Sequence, residues 1–226
     1  MKNKNYAFIP ARKGSKGFKD KNLIFFKNTA KFLKKINLFD DVYVSSNDER
    51  MRKLTYSYNF KFHKRSATFS GNKISIKQTL KNFVHEKKIS KNSTIWLFYI
   101  PILYKNFFDF KKAKKISERK SFKSLCSFIN VDHSPYSCWY KKGSKMFQFI
   151  KNDYYRRQDL PRTYSHHHYL CAFKTKYLNL LNSELIYKNT IPIILSKVTS
   201  SKLIEIDTKK DFKKLNYKDK KKYIHN

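Results

Sequence analysis

Short runs of aromatic and β-branched residues recur along this chain, separated by longer stretches whose apolar residues return every three or four positions. The runs are "YAFIP" (6–10), "DVYVSS" (41–46), "FKFH" (60–63), "TIWLFYI" (94–100) and "SLCSFINV" (124–131). Strand-like runs alternating with helical-period stretches mark βα units. Because parallel neighbours need a long crossover, the alternation implies a largely parallel sheet. "TIWLFYI" lacks polar alternation, as expected of a strand covered on both faces. Asn47 or Asp48 is placed to cap a helix through "ERMRKLTYSY", residues 74–86 carry Ile74, Ile76, Leu80, Phe83 and Val84 at helical spacing, and a further helix is expected from 107 to about 119. The predicted fold is one α/β domain over residues 1–226: a mostly parallel, Rossmann-like sheet flanked by helices. A small β-hairpin around Gly143, residues 138–149, is inserted in it. Near the end, "SKLIEIDTKKDFKKL" predicts a strand over 203–206 and then a helix capped by Asp207 or Thr208, with Asp211 in its first turn. The final "KDKKKYIHN" reads as a solvated tail, His63 and His85 as surface residues, and Cys171 as core.

The chain has only four glycines, and two of them, Gly14 and Gly17, fall in "FIPARKGSKGFKDKN" (8–22) among Arg12, Lys13, Lys16, Lys19 and Lys21. A loop after the first strand of such a sheet lies at the carboxyl edge, where ligands bind. Glycines let the backbone approach a ligand with its amides turned inward; Arg12, Lys16 and Lys21 add charge and Ser15 a hydroxyl, a set suited to a polyphosphate. The spacing is neither Walker A nor G-x-G-x-x-G. On these residues alone, a basic surface turn and a phosphate cradle are equally good readings.

The net charge of +35 would ordinarily point to nucleic acid. The lysines, however, are spread along the whole chain, and Gly, Pro and Ala are scarce, which reads as compositional bias rather than a binding face. Three cysteines without metal-type spacing fit a reduced, cytoplasmic setting. No leader is expected, since the early apolar run 6–10 is too short. The longest apolar run, "IWLFYIPILY", is about half of the roughly 20 residues a membrane span needs, and Pro101 interrupts it.

"IPARKGSKGFKDKN" resembles the first motif of the acylneuraminate cytidylyltransferases (CMP-sialic acid synthetases), IPARgGSKGIpxKN. The likeness continues in order: "FDDVYVSSNDERM" resembles VYVSTDDExI, "HKRSATFSGNKIS" resembles RPxxLAxD, "RRQDLPRTY" resembles RRQDLPxxY, and "LIEIDTKKDF" resembles SIDIDTxxDF. Five motifs in order across nearly the whole chain are specific. The resemblance implies a nucleotide-diphospho-sugar transferase type of fold. It also implies transfer of CMP from CTP to the anomeric hydroxyl of a nonulosonic acid, with release of pyrophosphate. It assigns Arg12, Ser15, Lys16 and Lys21 to the triphosphate, with Arg12, Lys16 and Lys21 catalytic through charge neutralisation, and Gly14 and Gly17 to the same loop. Asn22 and Arg65 fall to the nucleotide pocket; without the resemblance they read as a turn-stabilising Asn and a solvent-facing Arg. Glu205 and Asp207 match a pair of aspartates that bind Mg²⁺. Arg157 and Gln158 match the sugar side, where an Arg can grip a carboxylate; a surface ion pair with Asp159 or Asp153 is the alternative. The resemblance further implies a homodimer, with the 138–149 hairpin as its arm.

Three departures concern the acceptor sugar. "FYIPILY" stands where QPTSPLR is expected, a lysine is replaced around Ser137 in "HSPYSCW", and "HHHYLCAF" replaces NGAIY. The segment after Asn22 is also shorter and lacks a Gly-Lys-Pro turn. His167 is therefore expected on the sugar side, and the acceptor is expected to differ from N-acetylneuraminate. His166 and His168 would share a face, an incomplete metal site by themselves. A nucleic-acid-binding protein and a nucleotide-binding relative with altered sugar chemistry are the competing readings. The carboxylate pair argues against the first, because carboxylates facing phosphates without a metal would repel them.

Overall fold

The computed structural model describes residues 3–15 and 17–225. Nine strands and seven helices follow one another: β1 (Asn5–Pro10), α1 (Lys21–Ile36), β2 (Asp41–Ser46), α2 (Glu49–Ser57), β3 (Lys61–Lys64), α3 (Ile76–Glu86), β4 (Thr94–Leu97), α4 (Phe107–Ser117), β5 (Ser124–Asn130), β6 (Trp139–Lys142), β7 (Lys145–Gln148), β8 (Tyr164–Lys174), β9 (Thr190–Ile194), α5 (Lys197–Lys202), α6 (Lys209–Lys214) and α7 (Tyr217–Lys220). Seven strands form one sheet in the order β3-β2-β1-β4-β8-β5-β9. Its pairings are parallel except for β8, which runs antiparallel to both β4 and β5. The expected mostly parallel sheet with flanking helices is the observed one, and β6–β7 forms the expected hairpin.

The strand order reverses between β1 and β4: the chain moves from β1 to β2 and β3, then crosses back to β4 on the other side of β1. Such a switch point opens a crevice at the carboxyl ends of the two strands. Alternate residues of β1 serve two cores. Ala7 and Ile9 join Phe25, Phe26, Ala30 and Phe110 on the α1/α4 face. Tyr6 and Phe8 join Leu80 and Phe83 of α3 on the other. Burying each of the larger side chains among these contributes about 1.5–3 kcal/mol, so β1 is anchored from both faces.

Capping follows sequence chemistry. Asp48 caps α2 by accepting from Arg50 N, Ser75 and Gln78 form a capping box on α3, and Thr208 and Asp211 form another on α6. Several expectations need correction. The sequence reading assigns no helix to α1 and no strand to β9. "TIWLFYI" leaves the sheet after Leu97, since Pro101 and the turn at Tyr99 redirect the chain. The strand expected over 203–206 is reduced to one antiparallel bridge, Ile102 to Glu205, flanked by backbone bonds from Leu103 N to Ile204 O and from Ile206 N to Pro101 O. The terminal segment is not a solvated tail up to the last described residues: Tyr223 is buried in the α1-side core with Leu215. His63 is not a surface residue but is fully buried.

Candidate active site

A cleft of about 470 Å³ opens at the switch point, lined by Arg12, Ser15, Lys21, Asn22, Arg65, Tyr99, all three of His166–His168, Glu205 and Asp207. The β1–α1 loop supplies one wall. Asn22 Nδ2 donates to Arg12 O (3.0 Å) and Lys13 N to Asn47 Oδ1 (2.8 Å), which fixes the loop's path. Arg12 Nη1 donates to Asn72 Oδ1 at 2.6 Å, bringing the "SGNK" segment over the cleft. Lys21 and Asn22 sit in the first turn of α1, whose first turn contains no acidic residue, so its positive dipole end faces the same space.

The two glycines of the loop have different jobs, and neither lines this cleft. Gly14 has φ of +87°, a left-handed conformation that favours glycine. Gly17 makes a close approach instead: a Cβ there would stand 2.4 Å from the carbonyl oxygen of Asp207. Lys209 N also donates to Gly17 O at 3.3 Å. Gly17 thus docks the basic loop onto the acidic segment, bringing cations and carboxylates to one cleft. Lys16 lies outside the described residues.

Arg65 is buried, contrary to its reading as a solvent-facing residue. A polar chain holds it in place. Glu86 Oε2 accepts from His63 Nε2 (2.9 Å), so His63 Nδ1 carries the lone pair and accepts from Ser45 Oγ (2.8 Å). Ser45 Oγ in turn accepts from Arg65 Nε (2.8 Å). Burial lowers the imidazole pKa of His63 against the opposing pull of Glu86, favouring the neutral ring this chain requires. Arg65 Nη2 is buried with no hydrogen-bond partner among the described residues. Burial, with Arg12 alongside, pushes the guanidinium down to about 10. A buried cation without a counter-charge is costly unless an anion completes it.

Opposite these cations stand the two carboxylates. Asp207 Oδ1 pairs with Lys21 Nζ at 2.6 Å, and Glu205 Oε2 lies 3.5 Å from His167 Nε2. His167 Nδ1 accepts from Tyr169 N (3.1 Å), so its proton sits on Nε2, directed at Glu205. Enclosure of its carboxyl, and then the neighbouring Asp207, raise the pKa of Glu205. Two carboxylates, of which only Asp207 is matched by a cation, Lys21, form an oxygen-only donor pair that fits a hard divalent cation. Across the same space, burial lowers the pKa of His167 and His168.

The structure does not bring Arg157 and Gln158 into this cleft. Both lie in an exposed turn, Arg157–Asp159. Arg157 lines a separate cleft of about 610 Å³ with Trp139, Tyr136 and Tyr155 beneath the hairpin. The ion pair with Asp159 belongs to Arg156, at 2.8 Å. Sequence reasoning missed Tyr99, Asn72 and the Glu86–His63–Ser45 chain. Tyr99 was hidden in an apolar run, and the others act through partners 18 to 60 residues away.

A doubly wound sheet with a basic loop and a carboxylate pair at its switch point is a nucleotidyltransferase arrangement. Solved structures share the fold. CMP:2-keto-3-deoxy-manno-octonic acid synthetase complexed with CTP superposes with a TM-score of 0.65 at 12% identity, covering 94% of this chain and 96% of that one. The 2-C-methyl-D-erythritol 4-phosphate cytidylyltransferase of Francisella tularensis gives 0.60 at 13% identity, covering 93% and 97%. The N-acylneuraminate cytidylyltransferase of Streptococcus agalactiae serotype III is 24% identical over 220 residues, which are 92% of this chain and 52% of that protein. The chain thus spans about half the length of the curated relatives it matches. The family model described as Cytidylyltransferase matches residues 6–224, and the chain belongs to that family. No helix among the described residues is long and apolar enough to cross a membrane.

Proposed function

We propose that this protein transfers CMP from CTP to the anomeric hydroxyl of a nonulosonic acid. The observation that carries the reading is Arg65: a buried guanidinium beside Arg12, with one donor unpartnered, facing a carboxylate pair across one cleft. Arg12, Ser15, Lys21 and Arg65 neutralise and orient the triphosphate, and Asn22 holds the loop that presents them. The sugar hydroxyl oxygen attacks the α-phosphorus, the bond to the bridging oxygen of the β-phosphate breaks, and pyrophosphate and the hydroxyl proton depart. Positioning and charge neutralisation supply most of the rate in such transfers. Glu205 and Asp207 would hold Mg²⁺, and the ion would supply polarisation of the α-phosphate and positive charge for the leaving group. Lys21, paired with Asp207, adds positive charge beside the phosphates, and His167 keeps the Glu205 carboxylate oriented.

Three histidines and Tyr99 line the acceptor end, which favours a sugar acid other than N-acetylneuraminate, legionaminic- and pseudaminic-type acids included. The β6–β7 hairpin exposes Trp139, Tyr140, Met146 and Phe147, and this apolar surface supports a homodimer in which it packs on a second copy.

The test is pyrophosphate release from CTP and Mg²⁺ with a panel of nonulosonic acids, together with thermal stabilisation by CTP, UTP, ATP and GTP. Release with one acid and selective stabilisation by CTP are expected. Stabilisation by CTP without release from any acid would leave a nucleotide-binding relative with different acceptor chemistry. No stabilisation by CTP would remove the proposal.

A further inference from the structure

Between Cys126 and Ser127 the β5–β8 ladder breaks register. Cys126 pairs with Cys171, but the next residue, Ser127, pairs with His167, so residues 168–170 of β8 have no counterpart on β5. In a regular strand, positions 168 and 171 would point to opposite faces; the bulge turns His168 back toward the cysteines. Both sulfurs and a ring nitrogen of His168 lie within 4.8 Å of one another, with the two cysteines buried.

We propose that Cys126, His168 and Cys171 form a binding site for a thiophilic divalent transition metal of the zinc type, distinct from the Glu205–Asp207 pair. Two thiolates and an imidazole are soft to borderline donors, whereas the carboxylates across the cleft are hard, so the two sets select different ions. The second shell agrees. His168 Nε2 lies 2.9 Å from the backbone carbonyl of Glu184, which can only accept, so Nε2 carries the proton and Nδ1 the lone pair. A metal-binding histidine held by a backbone carbonyl on its other nitrogen is the usual arrangement.

That bond also decides against the competing cluster of His166, His168 and Glu184, because it occupies the nitrogen nearest the Glu184 carboxylate, at 3.9 Å. In the metal-free protein, the facing Cys126 and burial push the Cys171 thiol up, so the ion enters by displacing thiol protons. Three protein ligands leave a fourth position, and His168 and Tyr99, with ring centroids 5.4 Å apart, both line the cleft. The metal would pin β5 to β8 where the ladder is broken and fix the histidine segment that faces the acceptor end.

The full chain with Cys138→Ser, which removes the exposed thiol, is titrated with Co²⁺ under a non-thiol reductant and then with Zn²⁺. One equivalent of Co²⁺ should give a thiolate-to-cobalt charge-transfer band in the near ultraviolet, abolished by Zn²⁺. Cys126→Ala or Cys171→Ala should about halve the band, in line with loss of one of two thiolates, and weaken Co²⁺ binding at least about tenfold. Glu184→Gln and His166→Gln should leave the band in place. Stoichiometric binding without a charge-transfer band, binding lost in Glu184→Gln, or no stoichiometric binding would each overturn the site. Because none of these outcomes depends on the Cys126 or Cys171 variants, a cysteine variant that fails to fold does not rescue the proposal. CTP turnover is not the readout, so failure here leaves the transferase reading untouched.

Discussion

On the β1 side of the cleft the chain runs without irregularity: parallel strands in register, a loop pinned by Asn22 and Asn47, and Arg65 held by a three-member polar chain. On the β8 side an antiparallel strand breaks register and three consecutive histidines enter the cleft. The first side presents fixed charges where a triphosphate demands them. The second presents imidazoles from a strand whose bulge takes up three extra residues without ending the sheet. Under the proposed function the β1 side serves the nucleotide and the β8 side the acceptor, so substitutions on the two sides should affect different kinetic constants.

The strongest test joins the two sides. Asp207→Asn removes one of the two carboxylates proposed to hold the ion and the partner of Lys21, and should lower magnesium-dependent pyrophosphate release by about 10²–10³-fold, on the scale of losing one group that stabilises transition-state charge. CTP stabilisation measured without Mg²⁺ should persist. Undiminished turnover would dismiss the metal assignment.

Gly17→Ala comes next. The new methyl would meet the Asp207 carbonyl at 2.4 Å, so the basic loop must move away from the carboxylates. Displacement by about 1 Å can cost on the order of a hundredfold in rate, and the clash with a backbone oxygen should also cost about 1–3 kcal/mol in stability. By contrast, Gly14→Ala strains a left-handed residue with open space around it and should cost about 1 kcal/mol in stability. A larger loss of rate from Gly14→Ala than from Gly17→Ala would reverse the roles given to the two glycines.

The contrast between the two sides also explains what could be read from the chain. The βα alternation, the Asp48 cap, α3 and the hairpin are local, set by residues within a few positions, and they stand as expected. The α1 helix escaped because "LIFFK" opens it as an unbroken apolar run rather than a periodic one, and β9 is a short edge strand containing Pro192. His63 was misread because "FKFH" places aromatics at alternate positions, whereas pairing with β2 turns His63 inward onto Ser45. That choice depends on a strand 18 residues away. Arg157 and Gln158 failed to join the cleft for a similar reason: motif order says nothing about which of two clefts a loop faces. Gly17 was noticed, but its close neighbour, Asp207, lies too far along the chain for any local pattern to reveal.

Glu86→Gln weakens the far end of the Arg65 chain while preserving shape. The His63 proton then meets a neutral acceptor, and Arg65 loses some of its orientation. The expected result is about a tenfold rise in KM for CTP with kcat and the sugar KM nearly unchanged, equivalent to about 1.4 kcal/mol. His167→Asn on the other side should do the reverse, raising the sugar KM and leaving that for CTP. If both variants moved both constants together, the two halves would not be separable.

The smallest effect is a pH dependence of stability with opposing parts. His63, His167 and His168 all have pKa values lowered from 6.5, chiefly by burial. Below 6.5 the unfolded chain takes up protons that the folded one resists, so stability falls as pH drops from about 6.5. Glu205 acts oppositely. Its pKa is raised from 4.5, so its contribution is full below 4.5 and is lost as pH rises through the folded value. Urea unfolding between about pH 5 and pH 7 should therefore show the imidazole part as a loss of stability toward acid, opposed by the Glu205 part. Glu205→Gln removes the opposing part and should steepen that loss, whereas His167→Asn should make it shallower. Because His63 supports Arg65 through Ser45 behind the β1 side and His167 lines the β8 side, the two substitutions His63→Asn and His167→Asn divide the slope between the two sides. An unchanged slope in both would mean that neither imidazole is kept neutral by the fold.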